Sequence, residues 1–403
     1  MMQSNRLHQL DWLRVIAVGL LMLFHIGMVY VPDWSFHFKH EASSERLKNL
    51  LLFISPWRMG LLWFISGVAL RFMWNKHRDW QLILTRSIQL LLPLLIGILL
   101  VIPPQLYIEM TQAGKMPLDF GPFLLALYFD SQHYFDDYQS GVWPHFDVNH
   151  LWFLRSLWQF SVMILLTAPL LTSKLGLKVT HFLSRHLKIQ LGISILSVTL
   201  IETLLEGEQI REIYGLYFLL FGFMLGSHPL FWQQLKKSWT PMLLFALISL
   251  ILLQGAFEFI WQSDSLQNNT SAVAIGLLIY TLAKTLPVFA VVAIASRFLS
   301  EKSAIISQLN PWVFPIYILH QTIIIVVAYS LVRYQLPMIL EGIVVTILTF
   351  SLSGVAIVLL KQFTLLQAMF GVRLASQQPF YDSPIWRYLI LICCIPITFK
   401  LIS

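Results

Sequence analysis

Polar residues interrupt this chain only at long intervals. Apolar runs of about 20 residues, the length that crosses a hydrocarbon core as an α-helix, recur near 12–31, 52–73, 87–108, 150–171, 189–205, 213–228, 241–260, 271–295, 311–332, 338–360 and 385–402. The pattern predicts an all-α, polytopic membrane bundle of about 11 helices, ten forming a core and one following at the C-terminal end. The junction of the fifth and sixth runs is the most polar, because Glu202, Glu206, Glu208 and Arg211 crowd into it. No internal repeat, low-complexity tract or soluble appendage breaks the pattern, so residues 1–403 read as a single integral-membrane domain.

Composition agrees with a lipid-embedded chain: 57% of residues are hydrophobic and 12% charged, where soluble domains carry about 25% charged residues. A net charge of +7 would suit nucleic acid, but the cations sit in short loops between apolar runs rather than on one stripe. That distribution orients membrane proteins, and no nucleic-acid partner is expected. Sixteen Lys and Arg fall on the side of the N-terminus and seven on the other. The bias predicts a cytoplasmic N-terminus and, with an odd number of spans, a C-terminus outside. The first run is too long for a signal-peptide core and lacks a small-x-small cleavage site, so it is expected to be retained. Cys393 and Cys394 are the only cysteines and are adjacent, which excludes a disulfide framework or thiolate metal cluster. The longest outside loop, 110–149, has the length of a lid or binding loop. Its aromatic residues, Tyr134 and Trp143 among them, suit either stacking on sugar rings or an interfacial belt.

The costly positions are the ionisable residues inside the runs. Arg14 and His25 share the first run, and eleven residues amount to three helical turns plus about 20°, so both lie on one face about 16 Å apart along the axis. Asp11 is placed to orient Arg14 at i,i+3. Arg14 is compatible with snorkelling and His25 with a neutral hydrogen-bonded imidazole, but neither explanation accounts for the shared face. In the second run, Arg58 lies near the outer end, Ser66 and Gly67 near the middle, and Arg71 near the inner end. Ser66-Gly67 reads either as helix packing or as a close approach to a ligand. Arg71, Lys76, Arg78 and Arg86 form a basic cluster at the inner surface, suited to orientation or to a polyphosphate. His150 and Arg155 open the fourth run, and the ninth holds Tyr317 and His320 one turn apart, as a structural pair or part of a polar reaction chamber. Lys284, Glu202 and Arg155 receive no role.

No zinc signature, phosphate-binding glycine loop or nucleophile elbow is present, so no bound metal or cofactor is expected. A base and cations without a conventional Ser or Cys nucleophile suit direct transfer, in which a His deprotonates an acceptor hydroxyl and the acceptor attacks.

"LDWLRVIAVGLLMLFH" resembles the first-helix pattern of the acyltransferase 3 family, and "WRMGLLWFISG", "LTRSIQLLLP", "HLWFL" and "IYILHQ" are similar to its later blocks, in order from residue 10 to about 330. Within it, the chain looks most like the glucans biosynthesis protein C group, whose members are taken to succinylate periplasmic glucans. It departs from many relatives in carrying a single arginine, Arg86, in the third helix. The resemblance implies a bacterial inner-membrane enzyme that moves a succinyl or acetyl group from cytoplasmic acyl-CoA to a hydroxyl of an extracytoplasmic glycan. His25 is then the expected general base. Arg14, Arg71, Arg86, Ser66 and Gly67 are the expected donor-side residues, and Arg58, His150, Tyr317 and His320 accessory or acceptor-side ones. The oligomeric state stays open. A secondary transporter or channel for a small anionic solute is the rival reading, since buried ionisable groups also mark transport paths.

Overall fold

The computed structural model describes residues 7–76, 81–129, 135, 148–263, 265–266, 268–372 and 388. Among them every regular element is helical. In chain order these are α1 (His8–Val29), α2 (Glu45–Leu52), α3 (Arg58–Lys76), α4 (Gln81–Ile96), a π-turn (Gly97–Val101), α5 (Pro103–Gln112), α6 (Phe120–Phe129), α7 (Trp152–Leu171), α8 (Lys174–Arg185) and α9 (Leu187–Leu204). There follow α10 (Gly207–Leu225), α11 (Pro229–Lys237), α12 (Trp239–Ala256), α13 (Thr270–Phe298), α14 (Ala304–Leu309), α15 (Val313–Leu331), α16 (Met338–Gln362) and α17 (Thr364–Met369).

Eight helical stretches are long and apolar enough to cross a membrane, or nine if α10 and α11, bent by 107°, count as one span. The second expected span, α3, is not among them: its 19 residues include Arg58, Arg71 and Lys76. The sixth is the bent pair. The eleventh, 385–402, apart from Tyr388, lies outside the described residues, as do Arg78 of the predicted basic cluster and the aromatic loop residues Tyr134 and Trp143.

The chain divides into two compact units. One comprises Met1–Leu20, Asn49–Arg78 and Met163–Asn310. Here α3 packs along α10 and α12 along α13. A Cβ at Gly67 of α3 would overlap the carbonyl of Leu219, and one at Gly222 of α10 would overlap the carbonyl of Phe64. Lipid supplies no hydrophobic push between helices, so small residues that let backbones approach take its place. The close approach at Gly67 is therefore to α10.

The other unit comprises Leu21–Lys48, Asp79–Val162 and Pro311–Ser403, with α15 packed along α16 and α5. Its apolar core gathers Ile26 and Val29 of α1, Ile108 of α5, Ile324 and Ile325 of α15 and Val345 of α16. The span Gln81–Gln112 is locally irregular because Pro103 and Pro104 have no N–H to offer the carbonyls one turn back. The Ile102 N–H instead reaches back to Gly97, closing a π-turn. The freed Leu99 carbonyl accepts from the Tyr128 hydroxyl.

Candidate functional site

The second unit gathers three histidines around α15. Tyr317, His320 and Gln321 are buried on that helix at three- and four-residue spacing, which sets them on neighbouring faces one turn apart. His320 Nδ1 is 2.6 Å from the carbonyl of Tyr317. A carbonyl only accepts, so the proton sits on Nδ1 and Nε2 of a neutral His320 is an acceptor. His25 Nδ1 lies 2.9 Å from that Nε2, and the rings stack with centroids 5.0 Å apart. His25 therefore donates from Nδ1, and its basic nitrogen is Nε2. This is a base oriented by a second group, the logic common to activated acid–base pairs.

His150, at the entrance to α7, is held differently. Its Nε2–H donates to the Ile318 carbonyl at 2.9 Å, and its Nδ1 accepts from Gln105 at 3.3 Å. The carbonyl of His150 accepts from the Tyr317 hydroxyl at 2.7 Å. Thus Tyr317 serves His320 through its backbone and His150 through its side chain. Gln105 also donates to the Thr322 hydroxyl at 2.5 Å and accepts from Gln321 at 3.1 Å, while Thr322 donates to the carbonyl of Val101, the last residue of the π-turn, at 2.6 Å. A satisfied polar network of this kind fixes side-chain positions where no water competes. Gln321 closes the block "IYILHQ", but Gln105 and Thr322 carry no motif that would mark them in the sequence.

The segment after α1 folds over the same histidine. Phe36 stacks on the His25 ring at 5.9 Å and 19°, and Trp34 on Phe24 at 6.0 Å. The segment is anchored where the end of α1 leaves its carbonyls without helical partners. The Lys39 ammonium donates to Met28 at 2.7 Å and to Val31. Burial holds that ammonium below its ordinary pKa, with Asp33 pulling the other way. His37 meets Glu109 at 2.5 Å, and His40 lies 3.5 Å from the buried Glu341, which also accepts from Tyr30 at 2.9 Å.

The remaining predicted residues fall as follows. Arg14 pairs with Asp11 at 3.6 Å, as the i,i+3 spacing predicted, and Asp11 also accepts from Asn310 at 2.9 Å. Arg14 and His25 lie on one unbroken helix. Arg71 is buried over the ring of Phe223, 5.2 Å from its centroid. Arg86 is half-buried on α4, and Ser66 half-buried beside the packed Gly67. Arg58 donates to the Ser55 carbonyl at 2.9 Å. Lys284 and Glu202, unconnected in the sequence, form a buried ion pair between α13 and α9, with the ring of Tyr214 4.2 Å from the ammonium. Among the described residues no three His, Cys, Asp or Glu side chains converge as metal ligands would.

A family model described as an acyltransferase domain, that of the acyltransferase 3 family, matches residues 7–358, and the chain belongs to that family. It is a membrane acyltransferase, and the matched stretch takes in His25, His150, Tyr317 and His320. Neither curated proteins nor solved structures give a match.

Proposed function

We propose that the protein is an O-acyltransferase in which His25 deprotonates an acceptor hydroxyl and His320 holds His25 in the tautomer that does so. The observation that carries this reading is the 2.9 Å contact between His25 Nδ1 and His320 Nε2, backed by the Tyr317 carbonyl. The acceptor proton passes to His25 Nε2, and the acceptor oxygen attacks the thioester carbonyl of acyl-CoA. The carbon–sulfur bond breaks, and the leaving thiolate takes the proton back from His25. While His25 is charged, its Nδ1–H bond to His320 strengthens, because a hydrogen bond from an ionised donor is about twice as strong as a neutral one.

Arg14, Arg71 and Arg86 are the candidate cations for the donor's phosphates, with Ser66 a further donor-side candidate, while Gly67 is taken up by its packing on α10. His150, Tyr317 and Arg58 are candidates for orienting the acceptor or the thioester oxygen. The charge bias favours a cytoplasmic N-terminus, and the resemblance favours a bacterial inner membrane with the donor inside and the acceptor glycan outside. The resemblance to the glucans biosynthesis protein C group favours a succinyl donor and a glucan acceptor, with acetyl the alternative acyl group. Family membership favours this chemistry over transport of a small anionic solute. Mass spectrometry of envelope glycans from cells with and without the protein tests the reading. A defined acyl mass lost with the protein supports it and names donor and acceptor; an unchanged glycan profile contradicts it.

A further inference from the structure

Helix α8 has its faces arranged the opposite way from a helix packed into a protein core. At 100° per residue, Gly176, Thr180 and Ser184 occupy one arc, Leu175, Val179 and Phe182 a second, and Lys174, Lys178, His181 and Arg185 a third about 60° wide. The small and polar arc is the one turned inward, since Thr180 and Ser184 are buried. The apolar arc is exposed: Leu175 by 71%, Val179 by 43% and Phe182 by 51%. The four basic residues beside it are exposed as well, and the helix contains no acidic residue to neutralise them.

Both ends of α8 are fixed. Ser173 caps the N-terminus, its hydroxyl accepting from the Gly176 N–H at 3.2 Å. A Cβ at Gly176 would overlap the carbonyl of Leu171, so α8 sits tight against the end of α7. At the other end His186 leaves the helical conformation, and Gln190 of α9 donates back to the Leu183 carbonyl at 2.5 Å. The helix thus joins the ends of two membrane-crossing stretches, while its 12 residues, about 18 Å, are too few to cross by themselves.

We propose that α8 is an interfacial helix that binds anionic phospholipid headgroups. Leu175, Val179 and Phe182 enter the upper acyl region, and Lys174, Lys178 and Arg185 meet the phosphates, while the His181 ring is engaged by His228 at 3.3 Å. The occupant follows from charge and place. An exposed apolar arc flanked by a basic stripe with no acidic residue on the same helix, held at the level where two spans end, complements a layer that is apolar below and anionic above. On the orientation proposed above this is the inner leaflet.

The test uses the full chain in proteoliposomes of phosphatidylglycerol and phosphatidylcholine, with Cys393→Ser and Cys394→Ser so that a single introduced cysteine carries a spin label. A label at Val179→Cys is expected to collide with dissolved oxygen rather than an aqueous nickel chelate, and one at Lys178→Cys the reverse. Exposure of the Val179→Cys label to the chelate, or its shielding from both reagents by a protein neighbour, overturns the proposal. In the second arm, Lys174→Gln/Lys178→Gln/Arg185→Gln is expected to weaken the preference for spin-labelled phosphatidylglycerol over phosphatidylcholine by about 5-fold per cation removed at its strongest. An unchanged preference overturns it. So does displacement of the labelled lipid by acyl-CoA, which would make the stripe a site for the donor's phosphates.

Discussion

His25 Nδ1 lies 2.9 Å from His320 Nε2 although 295 positions separate them in sequence. Because the Tyr317 carbonyl holds the proton of His320 on Nδ1, the contact decides which nitrogen of His25 is basic. His320→Ala is expected to lower kcat by about 10- to 100-fold with little change in acceptor KM, the pattern of a positioning residue. His320→Gln, which keeps an acceptor near the place of Nε2, should recover part of that loss. A fall in KM and kcat together, without recovery by glutamine, would mean that His320 acts in some other way.

Gln105 bonds to His150, Thr322 and Gln321 at once. Gln105→Leu leaves those groups short of partners where water does not replace them, at a cost of about 1–3 kcal/mol per unsatisfied group. Thermal unfolding in detergent should show a lower midpoint, and the activity remaining at low temperature should fall less than in His320→Ala.

The α3–α10 contact depends on having no side chain at Gly222. Gly222→Val should therefore destabilise by about 1–3 kcal/mol, as overpacking does. Gly192 has open space around its Cβ position, so Gly192→Ala serves as the control and should be near neutral. Fluorescence-detected size-exclusion after a heat challenge compares the two.

Lys284 and Glu202 are both buried and paired. Removing one partner strands a charge, so Lys284→Met is expected to cost about 3–5 kcal/mol. The double variant Lys284→Met/Glu202→Leu removes both charges and should regain most of that loss. A double variant as unstable as the single one would show that the pair contributes more than mutual neutralisation.

Much of this was legible in the sequence. The apolar runs between residues 12 and 360 each fall on a helix, and the spacings from Asp11 to Arg14 and from Tyr317 to His320 match their local relations, because helical neighbours follow from a fixed rotation per residue. Pairings between helices were not legible. Neither His25 nor His320 carries a mark of the other, and Lys284 and Glu202 looked like isolated charges. Gln105 was hidden in the same way: its partners His150, Thr322 and Gln321 stand at least 45 positions away in the sequence. Gly67 admitted two readings in sequence, and its approach to Leu219 gives helix packing a physical basis.

The central claim is that His25 takes the acceptor proton, and the most direct test is acyl-CoA turnover by purified protein with a glycan acceptor. His25→Ala, shown by size-exclusion and thermal unfolding to be folded, is expected to release CoA about 10²- to 10⁴-fold more slowly than wild type. CoA release at the wild-type rate by that folded variant would contradict the account.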